Sequence, residues 1–167
     1  MFLFQGDGSR RTFIYNIKND SWSNGPSLLE PRAGHSSCAI QSDDGSTQCI
    51  IVIGGSTKKG PSSNSVEILN VKDKKSHWSI GTKWSISNQK WVQGPPLPCA
   101  VKYSKCVPLL PMTNFACVII GGWNGRDGRD ELYSSDVYGL NKELTEWKLF
   151  GKIKTERMHH TAIPLSN

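Results

Sequence analysis

Short runs of β-branched and aliphatic residues alternate with clusters of Gly, Asn, Asp and Ser along the whole chain. The clearest apolar runs are Gln48–Ile53, Ser65–Val71, Phe115–Ile120 and Asp136–Leu140. Short strand-like runs separated by turn residues at regular intervals are typical of all-β proteins. No apolar run approaches the length of about 18 residues that a transmembrane helix requires. The pattern therefore predicts an all-β fold and no contact with a membrane.

An internal repeat organises these runs. An apolar run ends in a Gly-Gly pair at Ile50–Gly55 and again at Val118–Gly122, and the first glycines of the two pairs are 67 positions apart. A Trp follows in three copies, as Trp22, Trp91 and Trp147, and Gly-Pro comes three residues after the first two. Arg32 and Arg157 each lie ten positions after their Trp, whereas the middle copy has Val101 there, followed by Lys-Tyr-Ser. Self-similarity of this kind indicates repeated units, so the chain is expected to contain several similar sheets.

This order of landmarks resembles the kelch repeat, whose family fold is a β-propeller of four-stranded antiparallel blades. The resemblance implies that the glycines end the second strand of each blade, where a Cβ would clash. It also implies that the Trp fills the space between neighbouring blades, with an aromatic residue on the preceding strand. The residues matched to these structural roles are Gly54, Gly55, Gly121, Gly122, Trp22, Trp91, Trp147, Tyr15 and Tyr138.

The landmarks divide the chain into a kelch-type fragment of about two full blades with partial terminal blades. We expect a partial blade in residues 1–34, a blade in 35–100, a blade in 101–157 and the first strand of a further blade in 158–167. The second segment carries a Lys/Trp-rich insertion at 72–90, in which Trp78 and Trp84 either pack on their own blade or form a contact surface. A propeller needs at least about four blades of about 50 residues, more than 167 residues provide. We therefore expect the remaining blades to belong to a longer chain, and a homodimer is disfavoured.

Charge and cysteine content bear on the partners and the cellular location of the protein. The net charge is +6, and residues 58–105 alone hold nine Lys and two acidic residues, which predicts a local solvated segment or a contact with a polyanion. Nothing matches a nucleic-acid-binding module, so no nucleic-acid partner is expected. The five Cys form no Cys-x-x-Cys pair and no secretory signal precedes them, which predicts free thiols and a cytoplasmic location. Cys49 lies five positions before Gly54 and Cys117 four before Gly121, so their side chains are expected to point to opposite faces of their sheets.

One end of the blades is predicted to form a binding face. In an up-and-down blade, the loops that follow strands 2 and 4 lie at the same end, so residues 24–34, 55–64, 123–134 and 152–158 should share one face. The candidate partner-binding residues there are Arg32, His35, Lys58, Trp123, Asn124, Arg126, Arg129 and Arg157. Arg forms bidentate hydrogen bonds with carboxylates, and in kelch adaptors similar to this chain the same face receives acidic or polar peptide segments. Plain solvation of these loops is the alternative.

The sequence carries no signature of catalysis. Its four His lack metal-ligand spacing, and it contains neither a nucleophile elbow nor a phosphate loop, so no metal, cofactor or catalytic residue is expected. The resemblance implies a protein–protein interaction module that binds a partner protein or peptide, for example in a ubiquitin-ligase adaptor or a cytoskeletal linker. The alternative is a galactose-oxidase-like enzyme, which shares the blade architecture but would need a copper site of Tyr and His ligands.

Overall fold

The computed structural model describes residues 2–4, 8–41, 47–73, 90–109, 113–125 and 133–164, and these form eleven β-strands and no helix. The strands are β1 (Phe2–Phe4), β2 (Thr12–Asn16), β3 (Ser21–Asn24), β4 (Ser36–Gln41), β5 (Thr47–Ile53), β6 (Val66–Asp73), β7 (Val92–Gln93), β8 (Lys105–Pro108), β9 (Phe115–Ile120), β10 (Asp136–Asn141) and β11 (Trp147–Lys152). The predicted all-β class is confirmed.

The strands form three antiparallel sheets, each with the strands side by side in chain order. Sheet 1 contains β1 to β3, sheet 2 contains β4 to β7, and sheet 3 contains β8 to β11. Sheets 2 and 3 have four strands each, as expected of blades, although no closed ring of blades is present among the described residues. Nor does that part of the chain contain a helix long and apolar enough to cross a membrane.

The two Gly-Gly pairs form equivalent backbone hydrogen bonds in sheets 2 and 3. The Gly54 amide donates to the carbonyl of Ser65, and the Gly121 amide donates to that of Asp136, each over 3.0 Å. The next glycine of each pair donates to the segment that leaves the sheet, Gly55 to Val101 over 2.8 Å and Gly122 to Arg157 over 3.0 Å. All four glycines have positive φ, a conformation that side chains with a Cβ rarely adopt. The pairs therefore bring the outgoing segment back against its own sheet.

Two of the three repeat Trp residues join neighbouring sheets. Trp91, the residue before β7 of sheet 2, donates its indole N–H to the carbonyl of Pro26 over 2.8 Å, and Trp147 in sheet 3 donates to that of Pro95 over 3.0 Å. They are 3% and 7% exposed, whereas Trp22 is 54% exposed and contacts the ring of Tyr15 at 4.8 Å. A position between neighbouring sheets is thus observed for Trp91 and Trp147, whereas no sheet among the described residues packs against Trp22.

The main core lies between sheets 2 and 3. Its buried members include Cys49 and Ile51 from β5 and Cys117 and Ile119 from β9. The alternate residues of the same strands belong to two other clusters, on the outer faces of this sheet pair. When sheets 2 and 3 are aligned by their Gly-Gly pairs, Cys49 and Cys117 therefore lie on opposite faces, as the glycine alignment predicted. Both are nevertheless buried, because the two faces meet in one core.

Cys38 on β4 and Cys106 on β8 form a disulfide between sheets 2 and 3, and their Cα atoms are 5.7 Å apart. The prediction of free thiols is wrong for these two residues. They are 68 positions apart, and only the packing of β4 against β8 brings them together. Cys49, Cys99 and Cys117 are thiols that form no disulfide, as predicted.

We expect a thiol titration of the denatured chain to count three thiols without reductant and five after reduction, because two of the five cysteines are joined in the disulfide. Mass spectrometry of an alkylated digest should place the unlabelled pair at Cys38 and Cys106. Five thiols in protein purified without reductant would contradict this pairing.

The predicted terminal strand is not observed in the part that the structure describes. Residues 158–164 run beside sheet 3 without forming a strand, although the His159 amide donates to the carbonyl of Tyr103 over 3.1 Å. A strand at this point would need a neighbouring strand to pair with, and the described residues offer none. Residues 165–167 lie outside the described residues, as do Trp78 and Trp84 of the insertion.

Candidate functional site

The loops that leave β3, β5, β7, β9 and β11 come together at one end of the sheets, here called the loop end. Backbone bridges join Ala33 to Ser56, Ser63 to Val101, and Lys102 to Trp123. These bridges link loops from all three sheets. The loop end therefore collects most of the segments that the strand order assigned to the binding face.

Arg32 lies at the loop end, but its side chain is not available to a partner. It is 0% exposed, and its Nε and Nη2 atoms are each 2.9 Å from Oε1 of Glu67, which is also fully buried. Its remaining N–H groups donate to the carbonyls of Gly54 and Ser65 and to the Ser65 hydroxyl. The predicted role of Arg32 in partner binding is wrong, because the guanidinium is fully used in holding the loop before β4 to sheet 2.

Glu67 completes this arrangement from the other side. Its Oε2 accepts the Leu29 amide over 2.6 Å and its Oε1 accepts the Glu30 amide over 3.1 Å. Sequence analysis did not single out Glu67, although an acidic residue inside the apolar run Val66–Leu69 is a usable signal. Buried charges in proteins are paired, so a lone acid in a core strand predicts a buried base.

Three residues at equivalent positions of successive loops share a left-handed backbone. Gly34, Tyr103 and His159 have φ values of 64°, 56° and 51°. The Tyr103 amide donates to the carbonyl of Gly34, and the His159 amide donates to that of Tyr103. A Cβ on Gly34 would lie 2.5 Å from the Tyr103 ring, and the His159 ring stacks on the Tyr103 ring at 4.0 Å. Because positive φ is uncommon for Tyr and His, this backbone is held in place by the surrounding structure, a feature that concentrates at functional sites.

The Tyr103–His159 stack forms one wall of a cleft of about 460 Å³, here called the polar cleft. Its lining residues are Gly34, His35, Ser36, Ser37, Tyr103, Ser104, Lys105, His159 and His160. The Ser104 hydroxyl and both ring nitrogens of His160 are buried and have no hydrogen-bond partner among the described residues. Buried polar groups are normally paired, so these atoms mark a place where a ligand could supply hydrogen bonds.

The two partly buried histidines of the polar cleft are neutral at pH 7. Burial, and then the positive charge of Arg32, lower the pKa of His35 to about 4. Burial, and then the charges of Arg157 and Lys105, lower the pKa of His160 as well. Neutral imidazoles donate and accept hydrogen bonds, and Lys105 adds a positive charge to the lining of the cleft.

A second basic group lies beside the cleft. The Lys102 ammonium is 4.2 Å from the centre of the Trp123 ring and 5.1 Å from that of Tyr103, within the range of cation–π attraction. Trp123, a predicted site residue, thus holds a basic side chain next to the Tyr103–His159 stack. Both lysines add positive charge at the loop end.

The other predicted site residues are spread more widely. Lys58 and Arg157 are exposed, and Asn124 lines a second, wider cleft of about 810 Å³ together with Lys59 and Asn64. The Asn124 side-chain oxygen is buried without a partner among the described residues. Arg126 and Arg129 lie outside the described residues. Of the predicted site residues that the structure describes, only His35 lines the polar cleft.

Sequence analysis missed most of the polar cleft. It did not assign Tyr103, Ser104, Lys105 and His159 to the site. A signal was present, because Val101–Ser104 is where the middle copy departs from the repeat. A position at which one copy abandons the shared pattern is a candidate for function.

Comparison with known proteins identifies the fold alone. No protein-family model matches this chain, and no curated protein matches it. Among solved structures, that of the protein YjhT matches with a TM-score of 0.66 over 93% of this chain, at 16% sequence identity. The chain spans 42% of the length of YjhT. A likeness at this identity supports an all-β architecture of packed antiparallel sheets.

Proposed function

We propose that this chain is part of a kelch-type β-propeller that binds a partner protein at the loop end, with an acidic or polar peptide segment of the partner in the polar cleft. The observation that carries the proposal is the set of unpartnered buried polar atoms on Ser104 and His160 at the cleft. A site built only for stability would pair these atoms internally.

The chemistry of the cleft suits such a segment. Lys105 and the adjacent Lys102 attract a carboxylate, and the neutral imidazole of His160 and the hydroxyl of Ser104 provide directed hydrogen bonds. The stacked rings of Tyr103 and His159 provide an apolar surface beside these groups. Mixed aromatic and polar character of this kind is common where proteins bind partners. In this proposal the protein is a binding module and catalyses no reaction.

The proposal is tested on an array of synthetic peptides that differ in acidic content. We expect acidic peptides to be retained, and Lys105→Ala to weaken the best of them about tenfold, the loss of roughly one charged hydrogen bond. Lys18→Ala is the matched control, since Lys18 is an exposed lysine in the turn between β2 and β3 at the opposite end of sheet 1. Its binding should equal that of the wild type.

Two measurements distinguish peptide binding in the polar cleft from attraction to the overall positive charge of the chain. Binding by the wild type should weaken with salt and should weaken further in Tyr103→Ala, which removes the aromatic wall without changing charge. Equal losses in Lys105→Ala and Lys18→Ala would show that the positive charge of the chain, and not the cleft, retains the peptides. Thermal melts of each variant establish that the comparison is made between folded proteins.

A further inference from the structure

Three cysteine sulfurs meet between sheets 2 and 3. Cys38 lies on β4, Cys106 on β8 and Cys117 on β9, and their Sγ atoms all lie within 4.8 Å of one another. Cys106 and Cys117 are buried, whereas Cys38 is half-buried and leaves a route from the surface. The sulfurs come from three strands of two sheets, so their grouping is a property of the fold.

The scaffold around these sulfurs is rigid. The backbone amide of Cys106 donates to the hydroxyl of Ser36 over 2.6 Å, which ties β8 to the start of β4. Aliphatic side chains of the core between sheets 2 and 3, among them Ile40, Ile51 and Ile119, pack around the group. Close packing of this kind keeps the three cysteines next to one another, whether or not the Cys38–Cys106 bond is formed.

The sulfurs lie close enough together for one metal ion once the Cys38–Cys106 bond is reduced. Metal–sulfur bonds of about 2.3 Å place the ligand sulfurs about 3.8 Å apart in a tetrahedral site and about 4.0 Å apart in a trigonal one. Both spacings lie inside the 4.8 Å limit of the group, and the bonded sulfurs of Cys38 and Cys106 reach them by moving apart once the disulfide is reduced. No His, Asp or Glu joins the three sulfurs within that limit in the part of the chain that the structure describes. Soft thiolate ligands select Cu(I), and a set of three suits Cu(I) better than Zn²⁺, which takes four ligands in structural sites.

We propose that Cys38, Cys106 and Cys117, when reduced, bind one Cu(I) ion between sheets 2 and 3. The disulfide-bonded form and the metal-bound form are then two exclusive states of the same sulfurs. A dithiol reductant breaks the S–S bond by supplying two electrons and two protons, giving two thiols while the reductant becomes a disulfide. Cu(I) displaces protons from the thiols it binds, and these protons pass to solvent. In either state the sulfurs join sheet 2 to sheet 3.

The test uses the full chain, reduced with a dithiol under oxygen-free conditions, desalted and titrated with Cu(I) against a coloured Cu(I) chelator. We expect the wild type to retain about one Cu(I) per chain, as a single set of soft ligands requires. Cys38→Ser and Cys117→Ser should lose at least about nine-tenths of that retention, since each removes one of three ligands. Cys99→Ser is the matched control and should retain the wild-type amount, because Cys99 is a free cysteine outside the group.

Alkylation of the loaded protein gives a second readout that depends on the metal itself. Cu(I) should protect Cys38, Cys106 and Cys117 from alkylation while Cys99 is labelled, and removal of Cu(I) by excess chelator should restore labelling at Cys38. If Cys117→Ser fails to fold, Cys117→Ala is used and its melt is compared with that of the wild type. No retained Cu(I) in the folded, reduced wild type would overturn the proposal. Equal retention in Cys117→Ser or Cys117→Ala, or loss in Cys99→Ser, would overturn it as well.

Discussion

Glu67→Ala is expected to lower the free energy of unfolding by about 3–5 kcal/mol, the range for removing one partner of a buried ion pair. Arg32 and Glu67 are both fully buried, and the carboxylate of Glu67 accepts hydrogen bonds from the Arg32 guanidinium and from the amides of Leu29 and Glu30. The alanine variant removes the fully buried counter-charge of Arg32, leaving the half-buried Glu30 carboxylate 3.6 Å from its Nη2 atom, and it leaves two amides without their acceptor. The measurement is chemical denaturation of both proteins at the same pH and salt.

The protein contains its own matched control for this experiment. Ser65 and Asp136 accept equivalent hydrogen bonds from the two Gly-Gly pairs, so they occupy equivalent positions in sheets 2 and 3. Two residues further along, Glu67 on β6 is therefore equivalent to Tyr138 on β10. Ala33 and Lys102 are equivalent as well, because each forms a backbone bridge to the residue that follows a Gly-Gly pair. The residues that precede them, Arg32 and Val101, are therefore equivalent. Sheet 3 thus carries Val and Tyr at the two positions where sheet 2 carries Arg and Glu. A packed apolar pair replaces a buried ion pair without a large loss of stability in other proteins.

We therefore expect the double variant Arg32→Val/Glu67→Tyr to lose less than half of the stability lost by Glu67→Ala. Arg157→Ala is the second control, because Arg157 aligns with Arg32 in the repeat but is exposed, and its effect should stay within about 0.5 kcal/mol. If Glu67→Ala costs no more than Arg157→Ala, the ion pair does not stabilise the fold. If the double variant is the least stable of all, the alignment of the two sheets at these positions is wrong.

The ion pair also bears on the proposed binding site. The amides of Leu29 and Glu30 belong to the loop that continues through Gly34 to His35 in the polar cleft. Arg32 and Glu67 fix this loop against sheet 2, so they position the cleft without lining it. Variants of this pair are expected to change peptide binding through the shape of the cleft and not through loss of a surface charge.

The strands and their repeat could be predicted because their signals are local. An apolar run ending in Gly-Gly and a Trp followed by Gly-Pro are each readable within six residues, and the spacing between copies gives the order of strands. The strand order alone then places alternate loops at the same end of each sheet. These features needed no knowledge of contacts between distant residues.

The features that sequence reasoning missed depend on such contacts. Arg is usually exposed, so the burial of Arg32 could not be inferred without its partner 35 positions further on. The disulfide joins Cys38 and Cys106 across 68 positions through the packing of two sheets. The polar cleft depends on the left-handed backbone of Tyr103 and His159, a conformation that residue type alone does not predict. Topology therefore located the loop end, and the identity of the side chains there required the structure.

Gly54→Ala is expected to cost at least about 3 kcal/mol of unfolding free energy. Gly54 has a φ of 64°, where a residue with a Cβ is strained by roughly 1–2 kcal/mol. The added Cβ would also lie 2.3 Å from the carbonyl oxygen of Val101, a backbone atom that cannot turn aside like a flexible side chain. That carbonyl accepts the Gly55 amide over 2.8 Å, so relieving the clash weakens the contact between the loop before β8 and sheet 2. Such overpacking costs typically about 1–3 kcal/mol, to which the lost hydrogen bond adds about 1 kcal/mol.

The matched control is Gly151→Ala on β11. Gly151 has no atom within 4 Å of a Cβ built on it and is not in the positive-φ region, so its substitution should change stability by no more than about 0.5 kcal/mol. Denaturant midpoints of the two variants measure the difference directly. The displaced Val101 segment continues into Lys102–Lys105, so Gly54→Ala should also weaken peptide binding at the polar cleft under conditions where the variant stays folded. Equal stability of the two variants would show that the Val101 segment can move away from the Gly-Gly pair at little cost, and that this contact does not hold sheets 2 and 3 together.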